Sequence, residues 1–289
     1  MSPDLSILIV HTFERRLVRQ TLRGIRRAAP RLHYEIIVID NNPSAAMAQT
    51  LKNEFPDVRY TAMDANRGFG AAMNKGMSIA RGKYVLIFNP DIVVAPGTLE
   101  DLHAYMEKHT DVGIVGPKLL NPDGTLQYSC NRYHEPMIPV YRRTPLGTFG
   151  FAKRAVDRFL MKDFSHEETR EVDWLMGSSL FTRRAALQDV GQFDDGFFMY
   201  FEDTDLCRRF WEKGWRVVYH PDVSMVHYHR RASNDGTLFS QLRSPLTWQH
   251  IKSAMRFFTK YRGKPNPREQ RQSSQQSAGA SGTPSGAST

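Results

Sequence analysis

Between residues 5 and 91 the chain alternates strand and helix signals so strictly that few folds remain open to it. Leu5-Ser6-Ile7-Leu8-Ile9-Val10 reads as a strand, and a helical stripe follows at Val18, Leu22, Ile25 and Ala29. Residues 35–39 form a second apolar run, closed by the turn-rich Asp40-Asn41-Asn42-Pro43. A helix at about 44–54, a short strand at 58–60 and a helix opened by Asn66-Arg67-Gly68 lead to the apolar run at 84–88. Strands that are apolar on both faces and separated by helices predict an α/β fold built on a Rossmann-like, mostly parallel central sheet. The run at 84–88 ends in Asn89-Pro90-Asp91, and a later run at 197–201 ends in Glu202-Asp203-Thr204-Asp205. Carboxylates at the carboxyl edge of a strand or the start of a helix stand where open α/β sheets hold ligands, so the two clusters predict a shared cleft.

The second half is less regular. Residues 117–170 read as loops and turns with scattered aromatics, followed by a strand over 172–181 and a short helix over 184–190. A helix carries Leu206, Cys207, Phe210 and Trp211, with Gly214 as its C′ residue. Strands are expected at 216–219 and 223–227. The division is therefore a first half over 1–116, a second half of the same domain over 117–245, a basic amphipathic helix over 246–263 and a disordered tail over 264–289.

Trp248, Ile251, Met255 and Phe258 form an apolar stripe among Lys252, Arg256, Lys260 and Arg262. That pattern suits peripheral contact with an anionic membrane and equally suits a helix packed on the body. No apolar run reaches the roughly 18 residues of a membrane span, the opening residues lack a signal-peptide layout, and two cysteines make no disulfide framework, so a cytoplasmic setting is expected. The net charge of +9 calls for a polyanionic partner. With neither zinc-finger spacing nor an RRM-type aromatic signature, nucleic acid is set aside in favour of lipid headgroups or a phosphorylated substrate.

Each motif has two readings. Asp91, after a rigid proline turn, suits a divalent cation that bridges phosphate oxygens, or it caps the turn. Asp40 bonds a base or ribose, or closes an Asx turn. The helix after Asn66, Arg67, Gly68 and Gly70 presents its amides to phosphate, or uses the glycines for close packing. Among Glu202, Asp203 and Asp205, one partly desolvated carboxylate serves as a general base, or all three answer the helix dipole. His227 and His229 alternate on one strand face and suit a metal or phosphate only in company with a carboxylate.

Taken together, in order, over about residues 4–231, the blocks LSILIV, VIDNN, NRGFGAAMNKG, YVLIFNPDI, WLMGSSLFTRR, GFFMYFEDTDLCRRFWEKGWRVVYHPD and VHYHR resemble the family 2 inverting glycosyltransferases of the GT-A fold, in their rhamnosyltransferase-like branch. The resemblance implies transfer of a sugar, with rhamnose from dTDP-rhamnose as the first choice, from a nucleotide-diphosphate donor. The acceptor would be a hydroxyl of a glycan or lipid-linked glycan in bacterial surface polysaccharide synthesis. It implies that Asp40 binds the base, that Asn66, Arg67, Gly68, Gly70, Asn74 and Asn89 line the donor pocket, and that Asp91 closes the family's DxD element. It makes Asp203 the base, with Glu202 next in line, and places Trp174, Gly177 and Ser178 beside the acceptor. Asp91 and His227 would hold a divalent cation, manganese or magnesium. His11-Thr12-Phe13 departs from the family's usual Thr-Tyr-Asn, and Asn89 replaces the first aspartate of DxD, leaving fewer carboxylates for the cation. The alternatives are a nucleotide-sugar-binding module without turnover and a hydrolase using paired carboxylates.

Overall fold

The apolar runs at the start of the chain form the strands expected of them. The computed structural model describes residues 2–43, 45–142, 144–228 and 244–280. Strands β1 (Leu5–His11), β2 (Tyr34–Asp40), β3 (Arg59–Ala62) and β4 (Tyr84–Phe88) lie parallel in the order β3-β2-β1-β4. They alternate with helices α1 (Arg15–Ala28), α2 (Ala45–Glu54) and α3 (Phe69–Ile79). Successive side chains on a strand point to opposite faces, so each strand feeds two cores. Leu5, Ile7 and Ile9 pack with Val18, Leu22 and Ile25 of α1. Leu8 and Val10 pack with Ala72, Met73 and Met77 of α3.

Next come β5 (Ile92–Val93), α4 (Thr98–Lys108), β6 (Val112–Leu120), β7 (Leu126–Gln127), β8 (Cys130–Asn131), α5 (Ile138–Tyr141) and α6 (Gly150–Phe159). They are followed by β9 (Arg170–Glu171), β10 (Trp174–Leu175), β11 (Ser179–Arg183), α7 (Arg184–Val190), α8 (Glu202–Glu212) and β12 (Arg216–His227). The main sheet continues β4-β11-β6-β12-β5, with β11 antiparallel to both neighbours and β12 parallel to β6.

Four expectations change. The division at 116/117 falls inside β6, so both halves share one sheet. The loops read over 117–170 contain α6, missed because it buries only Ala152 and Phe159 while Phe151 faces solvent, which erases the helical period. The strand read over 172–181 breaks between Leu175 and Ser179, where the Met176 amide donates to the Ser129 carbonyl. The strands read at 216–219 and 223–227 are one, β12, with a bulge between His220 and Ser224.

The C-terminal stretch forms α9 (Pro245–Lys260) and α10 (Pro267–Ala280). A disordered tail from 264 is therefore not what the structure shows. Arg268 Nε donates to the nearly inaccessible Asp173 carboxylate at 2.5 Å, and Arg208 donates to the Pro265 carbonyl at 2.7 Å. Composition registers missing apolar area and cannot register such long-range ion pairs. Residues 281–289 lie outside the described residues.

Strand order reverses between β1 and β4, which makes their carboxyl ends the switch point where α/β sheets bind ligands. His11, Asp40 and the 89–91 turn stand at that edge. Because β11 runs antiparallel to β4, Gly177 and Ser178, which lead into it, arrive at the same edge.

Candidate active site

The donor-side edge is knitted by side chains that the sequence only partly announced. Asn41 is buried at the end of β2; its Nδ2 donates to Asn66 Oδ1 at 2.9 Å and its Oδ1 accepts the Arg67 amide at 3.1 Å. Asn66 Oδ1 also accepts the Gly68 amide at 3.1 Å, so two asparagines hold the loop before α3 in shape. Arg67 is exposed and paired with Asp64.

Asp40 is wholly buried, accepts the Tyr60 hydroxyl at 3.0 Å, and its Oδ1 takes the Asn42 amide at 3.3 Å. The second bond is the Asx turn, so Asp40 shapes the edge of the sheet.

The N-terminus of α3 does not face an open phosphate cradle. Gly68 has φ +89°, and a Cβ there would lie 2.0 Å from the Phe198 carbonyl oxygen, which also accepts the Phe69 amide. Gly70 is backed by Phe193, 3.0 Å from where its Cβ would stand. Both glycines thus serve close packing of the 193–198 loop. Asn74 does the same: its Nδ2 donates to the Phe193 carbonyl and its Oδ1 accepts the Phe193 amide, each at 2.9 Å, so its amide anchors that loop in place of the donor contact expected of it.

The distant pair Asp91 and His227 does meet. Pairing of β12 with β5 sets His227 opposite Ile92, and Nε2 comes within 3.2 Å of Asp91 Oδ1. Gln127 Oε1 lies 2.6 Å from His227 Nδ1. An amide oxygen only accepts, so the ring proton belongs on Nδ1. With the proton on Nδ1, Nε2 turns a lone pair toward the same side as the Asp91 carboxylate, the arrangement of two donors that could share a cation. One carboxylate and one imidazole are donors that a cation bound mainly through phosphate oxygens would use, and among the described residues no cluster of three or more His, Cys, Asp or Glu could hold a metal ion unaided. His229 lies outside the described residues.

Two adjacent residues join this edge to the second acidic cluster. The Asn89 amide donates to the Ser178 carbonyl at 2.9 Å, and the Gly177 amide donates to Asp203 Oδ2 at 2.9 Å. A Cβ on Gly177 would come 3.1 Å from that of Asp203, so glycine permits the approach. Trp174 is fixed by its indole N–H on the Arg132 carbonyl at 2.8 Å and stacks on His134, which in turn lies 4.4 Å from the Phe201 ring.

The acidic cluster is aimed by strained backbone. Tyr200 and Phe201, directly before α8, have φ of 68° and 67°. A bulky residue there costs on the order of 1–3 kcal/mol. Helix α9 holds the bend: Ser253 Oγ donates to the Met199 carbonyl at 2.8 Å, and Phe257 packs on Phe201 with ring centroids 5.3 Å apart.

The matching family model is Glycosyl transferase family 2, over residues 6–170. The chain belongs to glycosyl transferase family 2. It is 30% identical over 204 residues to the N-acetylglucosaminyl-diphospho-decaprenol L-rhamnosyltransferase of Mycobacterium tuberculosis, a match covering 67% of this chain and 66% of that protein. The chain thus spans just under two thirds of that relative's length. With rhamnosyltransferase WbbL of Escherichia coli K12 it shares 28% identity over 242 residues, covering 80% of this chain and 84% of the relative. In fold it is similar to the mannosyltransferase PcManGT of Pyrobaculum calidifontis, solved with GDP-Man and Mn2+, with a TM-score of 0.53, 16% identity and coverage of 97% and 80%. GalNAc-T7, solved with UDP, GalNAc and Mn2+, gives a TM-score of 0.59 at 16% identity, covering 82% of this chain and 45% of that one. These likenesses confirm the GT-A fold.

For this family 2 member the structure sorts three neighbouring carboxylates. Asp205 is fully buried and committed to Arg209 Nε at 2.8 Å, Lys260 Nζ at 2.5 Å and the Tyr261 hydroxyl at 2.7 Å. Asp203 is half-buried; burial raises its pKa, and the Gly177 and Thr204 amides oppose that rise. Glu202 is buried, its Oε2 has no hydrogen-bond partner among the described residues, and burial first, then Asp203, pushes its pKa up to about 8. Of the coupled pair, Asp203 is the one that ionises first.

The raised value has a stability consequence. Between the ordinary 4.5 and about 8 the folded chain holds a proton that the unfolded chain has released, so stability falls as pH rises through that window. Glu202→Gln should flatten the decline and keep the higher Tm above about pH 8. Thermal melts across pH measure this, and parallel wild-type and variant profiles would count against it.

Sequence reasoning missed Asn41, Gln127 and His134 as parts of the site. Only Asn41 lay in a motif; Gln127 and His134 come from the region read as loops.

Proposed function

We propose that this chain is an inverting glycosyltransferase that takes rhamnose from dTDP-rhamnose and places it on a hydroxyl of a lipid-linked glycan in cell-surface polysaccharide synthesis. The observation that supports the reading is the pair of adjacent residues Gly177 and Ser178, which bond Asp203 on one side and Asn89, two residues before Asp91, on the other. The names of the mycobacterial and E. coli relatives support the sugar, and the diphospho-decaprenol acceptor of the former supports the lipid-linked acceptor.

Asp203 accepts the acceptor's hydroxyl proton while that oxygen bonds to the anomeric carbon and the bond to the nucleotide diphosphate breaks on the opposite face. Gly177 orients the carboxylate. Asp91 and His227 would hold a divalent cation, which when bound would neutralise charge on the diphosphate. Glu202, protonated beside Asp203, adds no second negative charge to the site.

The test is a coupling experiment. Asp91→Ala and His227→Ala should each weaken dTDP binding in the presence of manganese, read by calorimetry. The double variant should lose less than the sum by roughly 0.5–3 kcal/mol, because residues of one site couple. Strict additivity, or binding indifferent to manganese, would break the pair as a cation site. Release of free sugar as fast without acceptor as with it would identify a hydrolase, and the absence of both reactions a binding module.

A further inference from the structure

Helix α9 splits the apolar stripe read in its sequence. Phe257 and Tyr261 are buried and Phe258 joins them against Phe197 and Phe201, whereas Trp248 is 61% and Met255 66% exposed, with Ile251 beside them. Packing on the body therefore accounts for one face of the helix and leaves the other apolar and in solvent.

A second exposed apolar segment stands opposite. Phe149 and Phe151, at the start of α6, are 55% and 57% exposed with stacked rings 6.2 Å apart, and Met137 adds to them. Val140 of this segment and Ile251 and Met255 of α9 line a common cleft of about 1130 Å³, so the two surfaces adjoin. An exposed apolar area of this kind marks an interaction site.

The charge around it selects the partner. Residues 137–154 contain Arg142, Arg143, Lys153 and Arg154 and no acidic residue; residues 244–262 contain Lys252, Arg256, Lys260 and Arg262 and again none. Arg256 and Lys260 are paired with Asp194, while Lys153, Arg154, Lys252 and Arg262 are exposed. Aromatic and aliphatic side chains flanked by lysine and arginine match an anionic lipid surface, where rings enter the headgroup boundary and cations meet phosphate. No helix among the described residues is long and apolar enough to cross a membrane, so the contact is one of lying on the surface.

We infer that the exposed faces of α6 and α9 together form a platform that docks this protein on an anionic membrane. The platform rests on exposure and charge and not on the sugar-transfer reading. The inner face of α9 holds the Met199–Phe201 bend through Ser253 and Phe257, so one helix borders both lipid and acidic cluster.

Flotation with phosphatidylcholine vesicles, with and without phosphatidylglycerol, tests this without an activity readout. The full chain should float with the anionic vesicles, stay behind with the neutral ones, and be released by high salt. Phe151→Ser with Trp248→Ser should weaken partitioning on the order of 10-fold, since two aromatic anchors lose their apolar contact. Lys153→Glu with Arg154→Glu should remove the preference for phosphatidylglycerol. Should the aromatic variant melt below wild type, the charge variant and a Phe149→Ser variant carry the test. Equal flotation of wild type and variants, or equal flotation on both vesicles, would overturn the proposal. A dimer by light scattering that the aromatic variant dissociates, with no flotation, would assign the face to a second copy instead.

Discussion

Asp203→Asn should cut turnover by about 100-fold or more while leaving donor affinity near wild type, the scale expected when a general base is lost. The amide keeps the volume, but with one acceptor oxygen it accepts only one of the Gly177 and Thr204 amides, which donate to different carboxylate oxygens in the wild type, so the variant loses the capacity to take a proton at the cost of one local hydrogen bond. Glu202→Gln should be milder, since burial already keeps that carboxyl protonated at neutral pH. Steady-state rates with donor titration separate the two effects. A larger loss at Glu202, or an unchanged rate at Asp203, would move the base to Glu202.

Asp205→Ala should be the most destabilising single change in the acidic cluster, by about 3 kcal/mol or more, because it breaks a buried ionic network from one side. The Tyr261 hydroxyl would lose its acceptor in the interior, and Arg209 and Lys260 would face each other without the carboxylate between them. For a chain of this size the melting temperature should drop by roughly 5–10 °C. Turnover should fall as well, because Lys260 and Tyr261 are the last anchors of the helix that steadies the Tyr200 and Phe201 bend. Asp205→Asn, which keeps an acceptor for Tyr261, should recover part of the stability. A melting temperature unchanged by Asp205→Ala would mean that the apolar contacts, Ser253 and the Asp194 ion pairs hold α9 without Asp205.

These two aspartates lie two residues apart, and the residue pattern by itself did not separate them; only the family resemblance singled out Asp203. Both belong to a first helical turn, where acidic residues are favoured by the dipole whatever else they do. What separates them is the direction of each side chain on α8: Asp203 points to Gly177 and the cleft, Asp205 to the C-terminal helix.

The chain's own pattern determined the layered α/β fold, the carboxyl-edge position of Asp40 and Asp91, and the capping glycine at Gly214, which adopts φ +83° after α8. Those features are local: period-2 and period-3.6 burial and the dihedral freedom of glycine are set by neighbours in sequence. The tertiary structure gave the 3.2 Å contact between Asp91 and His227 that the resemblance had only implied, and it alone decided that Gly177 and Ser178 bond both the 89–91 turn and Asp203, that Asn74 and Gly70 serve the 193–198 loop, and that the outer face of α9 stays exposed. Each of these depends on contacts between residues far apart in the chain, and side-chain type alone carries no record of which distant partner will satisfy it.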